Sequence, residues 1–206
     1  MNERGLRSRP QQALCAGADV FISIHHDSVV ESKKTYEVID GRKIGFNDEI
    51  GGYTIYFSSK NKMSDASEAL AKFISQEFMT IGIPSATEHQ AYIADKGRRL
   101  VDQKLNIWDY EGLVVSKYSS MPAILIEVGF LSNRQDVARL KDATFQKTVA
   151  HAIAQATLAA CISDPRLIDI RERIERKRAW QCRAAGPNGG HANTLRSDRT
   201  PPSTGP

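Results

Sequence analysis

Two short apolar runs that end abruptly on ionisable residues constrain this chain more than any other feature. Ala18-Asp19-Val20-Phe21-Ile22-Ser23-Ile24 leads into His25-His26-Asp27-Ser28, and Pro122-Ala123-Ile124-Leu125-Ile126 leads into Glu127-Val128-Gly129-Phe130. Continuous rather than alternating apolar runs of this length predict strands buried on both faces. Gly52-Tyr53-Thr54-Ile55-Tyr56-Phe57-Ser58, rich in aromatic and β-branched residues, predicts a third strand. Between them, Ala66, Ala69, Leu70, Phe73, Ile74 and Phe78 recur at helical steps, and so do Phe145, Val149, Ile153, Ala156 and Ala160. Strands alternating with amphipathic helices predict an α/β layer structure with a largely parallel sheet.

The remaining segments are less patterned. Arg9 to Cys15 suits a helix, 31–50 reads as a polar loop with a short hairpin, and 84–107 reads as loops with short helical turns. Asp109 to Tyr118 is expected to be helical. Ser132 and Gln135 are spaced as a capping box for the next helix. Asp164-Pro165 ends the last long helix. The organisation expected is a body over 1–163, a charged, helix-compatible extension over 164–183, and a Gly- and Pro-rich disordered tail over 184–206.

Charge is distributed unevenly. Residues 1–161 carry 19 basic and 19 acidic side chains, and residues 162–206 carry 9 and 5. The net +4 therefore lies in the tail, the body is neutral, and no nucleic-acid motif accompanies the excess. No apolar run approaches the roughly 20 residues that cross a bilayer, so no transmembrane segment is expected. The first residues are charged with no apolar stretch behind them, so no secretory signal is expected in this chain. Cys15, Cys161 and Cys182 form no CxxC pair. Two small buried hydrophobes and one tail thiol are the preferred reading.

His25 and Glu127 stand at the ends of two strands. In open α/β sheets, ligands bind beyond the carboxyl ends of the strands. If the two strands are parallel, both side chains project at one edge. A neutral imidazole is a common zinc ligand. A carboxylate beside zinc-bound water can take its proton and return it to a leaving nitrogen, a pairing suited to amide hydrolysis. The plainer reading is a hydrogen-bonded structural histidine and a carboxylate that caps a helix or pairs with a lysine.

The motifs add to this. Residues 18–28, ADVFISIHHDS, resemble the "ADlfiSIHaN" segment of the zinc-dependent N-acetylmuramoyl-L-alanine amidases known as amidase 3, and 122–133, PAILIEVGFLSN, resembles that family's "PavLvEtGFlSN" segment. The resemblance implies a mixed, mostly parallel sheet flanked by helices, of the layered phosphorylase/hydrolase-like type. It implies Zn2+ as cofactor and cleavage of the amide between N-acetylmuramic acid and L-alanine. The implied partners are peptidoglycan or muropeptides, with room for an activator protein, and the implied location of the full-length protein is periplasmic or extracellular. By resemblance, Glu127 takes the place of the catalytic glutamate and His25 that of the last histidine ligand. Ser23 and Asn133 match motif positions as structural residues.

The sequence also departs from the family. Leu6-Arg7-Ser8-Arg9 resembles a stretch that follows the family's Gly-His-Gly-Gly segment and its ligand glutamate, and neither of those is present. An N-terminally truncated catalytic domain is therefore expected, short of two of three zinc ligands. The alternative is a catalytically incomplete remnant that binds wall fragments or a partner. His26 is a further ligand candidate, and Asp27 is a candidate for supporting one. His89 is a candidate for lining the substrate groove, with a surface histidine as the plainer reading. Arg98 and Arg99 are candidates for contacting stem-peptide carboxylates, with a solvated basic turn as the plainer reading.

Overall fold

The computed structural model describes residues 3–86 and 97–183. The chain enters through α1 (Glu3–Cys15) and β1 (Phe21–Asp27), then a 3-10 turn, Glu31–Lys33. The hairpin β2 (Thr35–Ile39) and β3 (Arg42–Phe46) follows, then β4 (Thr54–Phe57) and α2 (Ser64–Thr80). Next come β5 (Arg98–Asp102), β6 (Ile107–Tyr110), α3 (Val114–Lys117) and β7 (Ala123–Phe130). The chain closes with α4 (Arg134–Lys141), α5 (Ala143–Ser163), α6 (Pro165–Ile168) and α7 (Ile170–Arg183).

Five strands form one sheet in the order β1-β7-β4-β6-β5, and β2 pairs only with β3. The sheet is mixed, as the family resemblance implies. β1 runs parallel to β7 and β4 parallel to β6, while β7/β4 and β6/β5 are antiparallel. One face carries the main core. Ile55, Phe57, Ile107, Ile124, Ile126 and Val128 pack under Leu70, Ile74 and Phe78 of α2 and Val149, Ile153 and Ala156 of α5. Side chains alternate along a strand. The other face accordingly carries the intervening residues, with Tyr56 and Trp108 buried among half-buried Leu100, Tyr110, Leu113 and Leu125.

The structure corrects several sequence expectations. The first run is an edge strand rather than one buried on both faces, and Ile24 is 55% exposed. An apolar run records composition, not the number of neighbours. Residues 98–110 form two strands where loops and the start of a helix were expected, and only Val114–Lys117 is helical there. The cap of α4 is Asn133, whose side chain accepts from the Asp136 N–H at 2.9 Å. The Ser132 hydroxyl instead accepts from the Val29 N–H at 3.1 Å. Segment 164–183 is helical, as its composition allowed, and it also adds Leu167, Ile170 and Ile174 to the core. The tail 184–206 lies outside the described residues.

The cysteine expectation is also overturned. Cys15 and Cys182 form a disulfide that joins α1 to α7, with Cα atoms 5.5 Å apart, and Cys161 alone is a free thiol. Arg178 reinforces the join by donating to the Leu14 and Ala18 carbonyls, each at 3.0 Å, and to Asp19. A sequence separation of 167 residues leaves no local spacing signal for such a pair.

Behind the end of β7, Asp136 is buried and accepts from Gly52 N–H at 2.8 Å and Phe130 N–H at 2.9 Å, and it pairs with Arg139. Gly52 has φ +102°, and a Cβ there would collide with the Pro84 carbonyl oxygen. This knot holds the entry to β4 against the exit of β7. Asp136→Ala strands two buried N–H groups and should cost about 3 kcal/mol, read as a lowered urea midpoint. Reduction of Cys15–Cys182, or the double serine variant, should cost about 2–4 kcal/mol, read as a lower melting temperature with dithiothreitol than without.

Candidate active site

Register decides which side chains meet. In the β1/β7 pair, Cα partners are Ser23↔Leu125 and His25↔Glu127. Partners in adjacent strands share a face about 4.8 Å apart. Both His25 and Glu127 therefore project from the Tyr56 face, away from the main core. β1 continues to Asp27 with an irregularity between His25 and Asp27. Asp27 Oδ1 accepts from the Ser28 N–H at 2.7 Å, and the Asp27 carbonyl accepts from the Leu131 N–H.

Glu127 is the unusual group. Burial, aided by the negative charge of Asp27, pushes its carboxyl up to about 8, against a smaller opposing pull from Arg98. Its Oε2 is buried with no hydrogen-bond partner among the described residues. A carboxyl with this pKa can hold a proton or release it near neutral pH, as a general acid–base group requires. Tyr56 feels the same surroundings. Burial raises its hydroxyl well above the usual tyrosine range, with Arg98 opposing and Asp27 and Glu127 adding to the rise.

The other candidates separate. His26 faces the opposite way, into a shallow apolar groove with Ile24, Val128, Phe145 and Val149, so it does not join Glu127. Arg98 lies on the Glu127 side, over the rings of Tyr110 and Tyr56. Arg99, its neighbour on β5, pairs instead with buried Asp109 at 3.2 Å and is 70% exposed. His89 lies outside the described residues. Asn133 has the structural role expected of it, donating to the Asp48 and Ile50 carbonyls at 3.1 and 3.2 Å. Sequence reasoning missed Tyr56, because an aromatic residue in a strand reads as core.

The metal expectation meets a limit. Among the described residues, no group of three or more His, Cys, Asp or Glu side chains could hold a metal ion. A catalytic zinc takes three protein ligands, and His25 offers one imidazole. The described residues alone therefore do not fit a zinc shell.

A family model described as N-acetylmuramoyl-L-alanine amidase matches residues 2–159. The chain belongs to this family. It is 27% identical over 169 residues to the N-acetylmuramoyl-L-alanine amidase AmiC of Escherichia coli, an alignment that takes in 72% of this chain and 37% of that protein. The fold is similar to that of the amidase Ami1 from Mycobacterium smegmatis, with TM-score 0.57 and 19% identity, covering 77% of this chain and 61% of that one. It is also similar to the CwlD amidase of Clostridioides difficile, solved in complex with the GerS lipoprotein, with TM-score 0.51 and 20% identity, covering 76% and 62%. The chain thus spans well under half the length of the Escherichia coli relative and less than two thirds of either solved chain. Among the described residues, no helix is long and apolar enough to cross a membrane.

The raised carboxyl gives stability a definite pH dependence. The folded-state pKa of Glu127 lies above its ordinary value of 4.5. The folded protein therefore binds this proton more tightly than the unfolded chain, and stability falls as pH rises from about 4.5 through about 8. Glu127→Gln, which keeps the shape and removes the ionisation, should melt like the parent at pH 5. At pH 9 in a chelator it should be more stable by roughly 2–3 kcal/mol. Equal melting shifts at both pH values would contradict this.

Proposed function

We propose that the chain carries the proton-transfer part of a peptidoglycan amidase site, cleaving the amide between N-acetylmuramic acid and the L-alanine of the stem peptide. The observation that carries the reading is the pairing of a buried, pKa-raised Glu127 with His25 at the open face of an amidase-family sheet. In this reading ionised Glu127 takes a proton from water as the water oxygen adds to the scissile carbonyl carbon. The carbon–nitrogen bond then breaks, and the Glu127 carboxyl gives that proton to the departing alanine nitrogen. Glu127 is the catalytic residue, and His25 would supply one of the three ligands needed by the Zn2+ that the family implies. Asp27 biases Glu127 toward holding its proton between these steps.

The same reading places the full-length protein in the periplasm or outside the cell. Peptidoglycan lies there, and disulfides such as Cys15–Cys182 persist in oxidising compartments. An activator protein is proposed as partner, by likeness to the CwlD fold seen with a lipoprotein.

A second reading, a wall-fragment-binding remnant, is favoured by the single imidazole beside Glu127 among the described residues. Purified murein incubated with the zinc-supplemented protein separates the two. The amidase reading expects free alanine amino termini to appear and Glu127→Gln to reduce their release by a factor of about 10²–10⁴. Undiminished release by Glu127→Gln would remove Glu127 from its role. Sub-stoichiometric zinc with no release, but retained murein binding, would select the remnant.

A further inference from the structure

Among the described residues, three buried polar atoms on the open face find no hydrogen-bond partner: Arg98 Nε, the Tyr56 hydroxyl and Glu127 Oε2. Buried polar groups are nearly always satisfied, because leaving one unpaired is costly. These three are not scattered, since Arg98 and Glu127 both act electrostatically on Tyr56, and Arg98 acts on Glu127. They outline one polar site built to be completed by a ligand.

The geometry at Arg98 indicates the ligand's chemistry. Its guanidinium carbon lies 4.7 Å from the centroid of the Tyr110 ring and 5.4 Å from that of Tyr56. The two rings meet edge to face at 6.4 Å. A guanidinium lying over aromatic faces keeps its planar edge of N–H donors available. No ion pair or hydrogen bond engages it among the described residues, and the nearby carboxylate of Asp109 is taken by Arg99. Arg98 and the Tyr56 hydroxyl are donors, so the complementary group is an acceptor. A guanidinium fork matches a carboxylate with two parallel bonds.

We propose that Arg98, held over Tyr110 and Tyr56, is a carboxylate-binding subsite beside Glu127 that takes a free carboxylate on the peptide side of the scissile amide. The choice of peptide rests on the amidase reading above, whereas the subsite itself does not. β7 and β5 are three strand spacings apart, about 14 Å, and the register sets Arg98, opposite Tyr110, about four residues along the strands from the level of Glu127. The Arg98 guanidinium crosses much of that gap, lying over Tyr56 of β4 and acting electrostatically on Glu127, so a carboxylate bound by it falls within roughly three peptide residues of Glu127. Arg98 is thus a specificity residue, and Arg99, one position along β5 and facing the other way, is not.

The test uses the whole 206-residue chain and two probes, N-acetylmuramoyl-L-alanyl-D-glutamate and the same compound with its glutamate α-carboxylate amidated. Binding is read by calorimetry or by NMR titration. The acid should bind about tenfold or more tightly than the amide, in line with a charge-assisted hydrogen-bond pair. Arg98→Gln should erase the preference, and Arg99→Gln should keep it. Equal binding of the two probes, no binding of either, or a preference that survives Arg98→Gln overturns the proposal. If Arg98→Gln does not fold, Arg98→Lys serves, because it keeps the charge and loses the fork. A preference undiminished in that variant overturns the proposal equally. An intact acid preference without murein hydrolysis would remove the amidase reading and leave the subsite standing, and hydrolysis without the preference would do the reverse.

Discussion

Parallel pairing of β1 with β7 is the contact on which the rest of the site depends. Its register sets His25 opposite Glu127, and strand alternation then sends both to the face that α2 and α5 leave uncovered. A slip of one residue would exchange Glu127 for Ile126 or Val128 on that face and put a carboxylate into the main core. The register is protected because Ile124, Ile126 and Val128 must stay under the helices. Core packing and the placement of the ionisable pair are therefore one requirement.

The chain reverses direction at β4, which runs antiparallel to β7 and parallel to β6. That reversal brings Tyr56 alongside Leu125 and carries the aromatic patch across the sheet to Arg98 on β5. Glu127 thus lies in a weakly hydrated setting with one negative neighbour, Asp27, and one positive one, Arg98. Desolvation outweighs both and keeps the carboxyl high. The Asp136 knot, immediately behind, holds the two strand ends still while this face stays open.

Much of this was legible in the sequence. The Pro122–Phe130 run, the Tyr53–Phe57 strand and the two long helices have patterns that only one kind of burial satisfies. On sequence alone His25 and Glu127 come together on the condition that their strands run parallel, and β1 and β7 meet that condition, although β7 continues past Glu127 to Phe130. The failures share a cause, which is information held by neighbours rather than by the segment. Phe21–Ile24 looks as apolar as a central strand but lies at an edge. Arg98-Arg99-Leu100-Val101-Asp102 looks like a charged turn but pairs with β6, splitting its two arginines between opposite faces. His26 could not be separated from His25 until the strand was seen to continue through Asp27. Tyr56 gave no sign that its hydroxyl would lie unpaired, and no local pattern could couple Cys15 to Cys182.

That disulfide also changes what a broken backbone would mean for this molecule. Its two sulfurs lie at the end of α1 and near the end of α7, and everything between them, all seven strands included, is enclosed in one covalent ring. A single cut by a protease anywhere between residues 15 and 182, the exposed β2–β3 hairpin included, opens that ring without releasing a fragment. The strands bearing His25 and Glu127 would remain one molecule, held by the sheet and by the sulfur bridge together. Such a closure converts an otherwise terminal injury into a tolerable one.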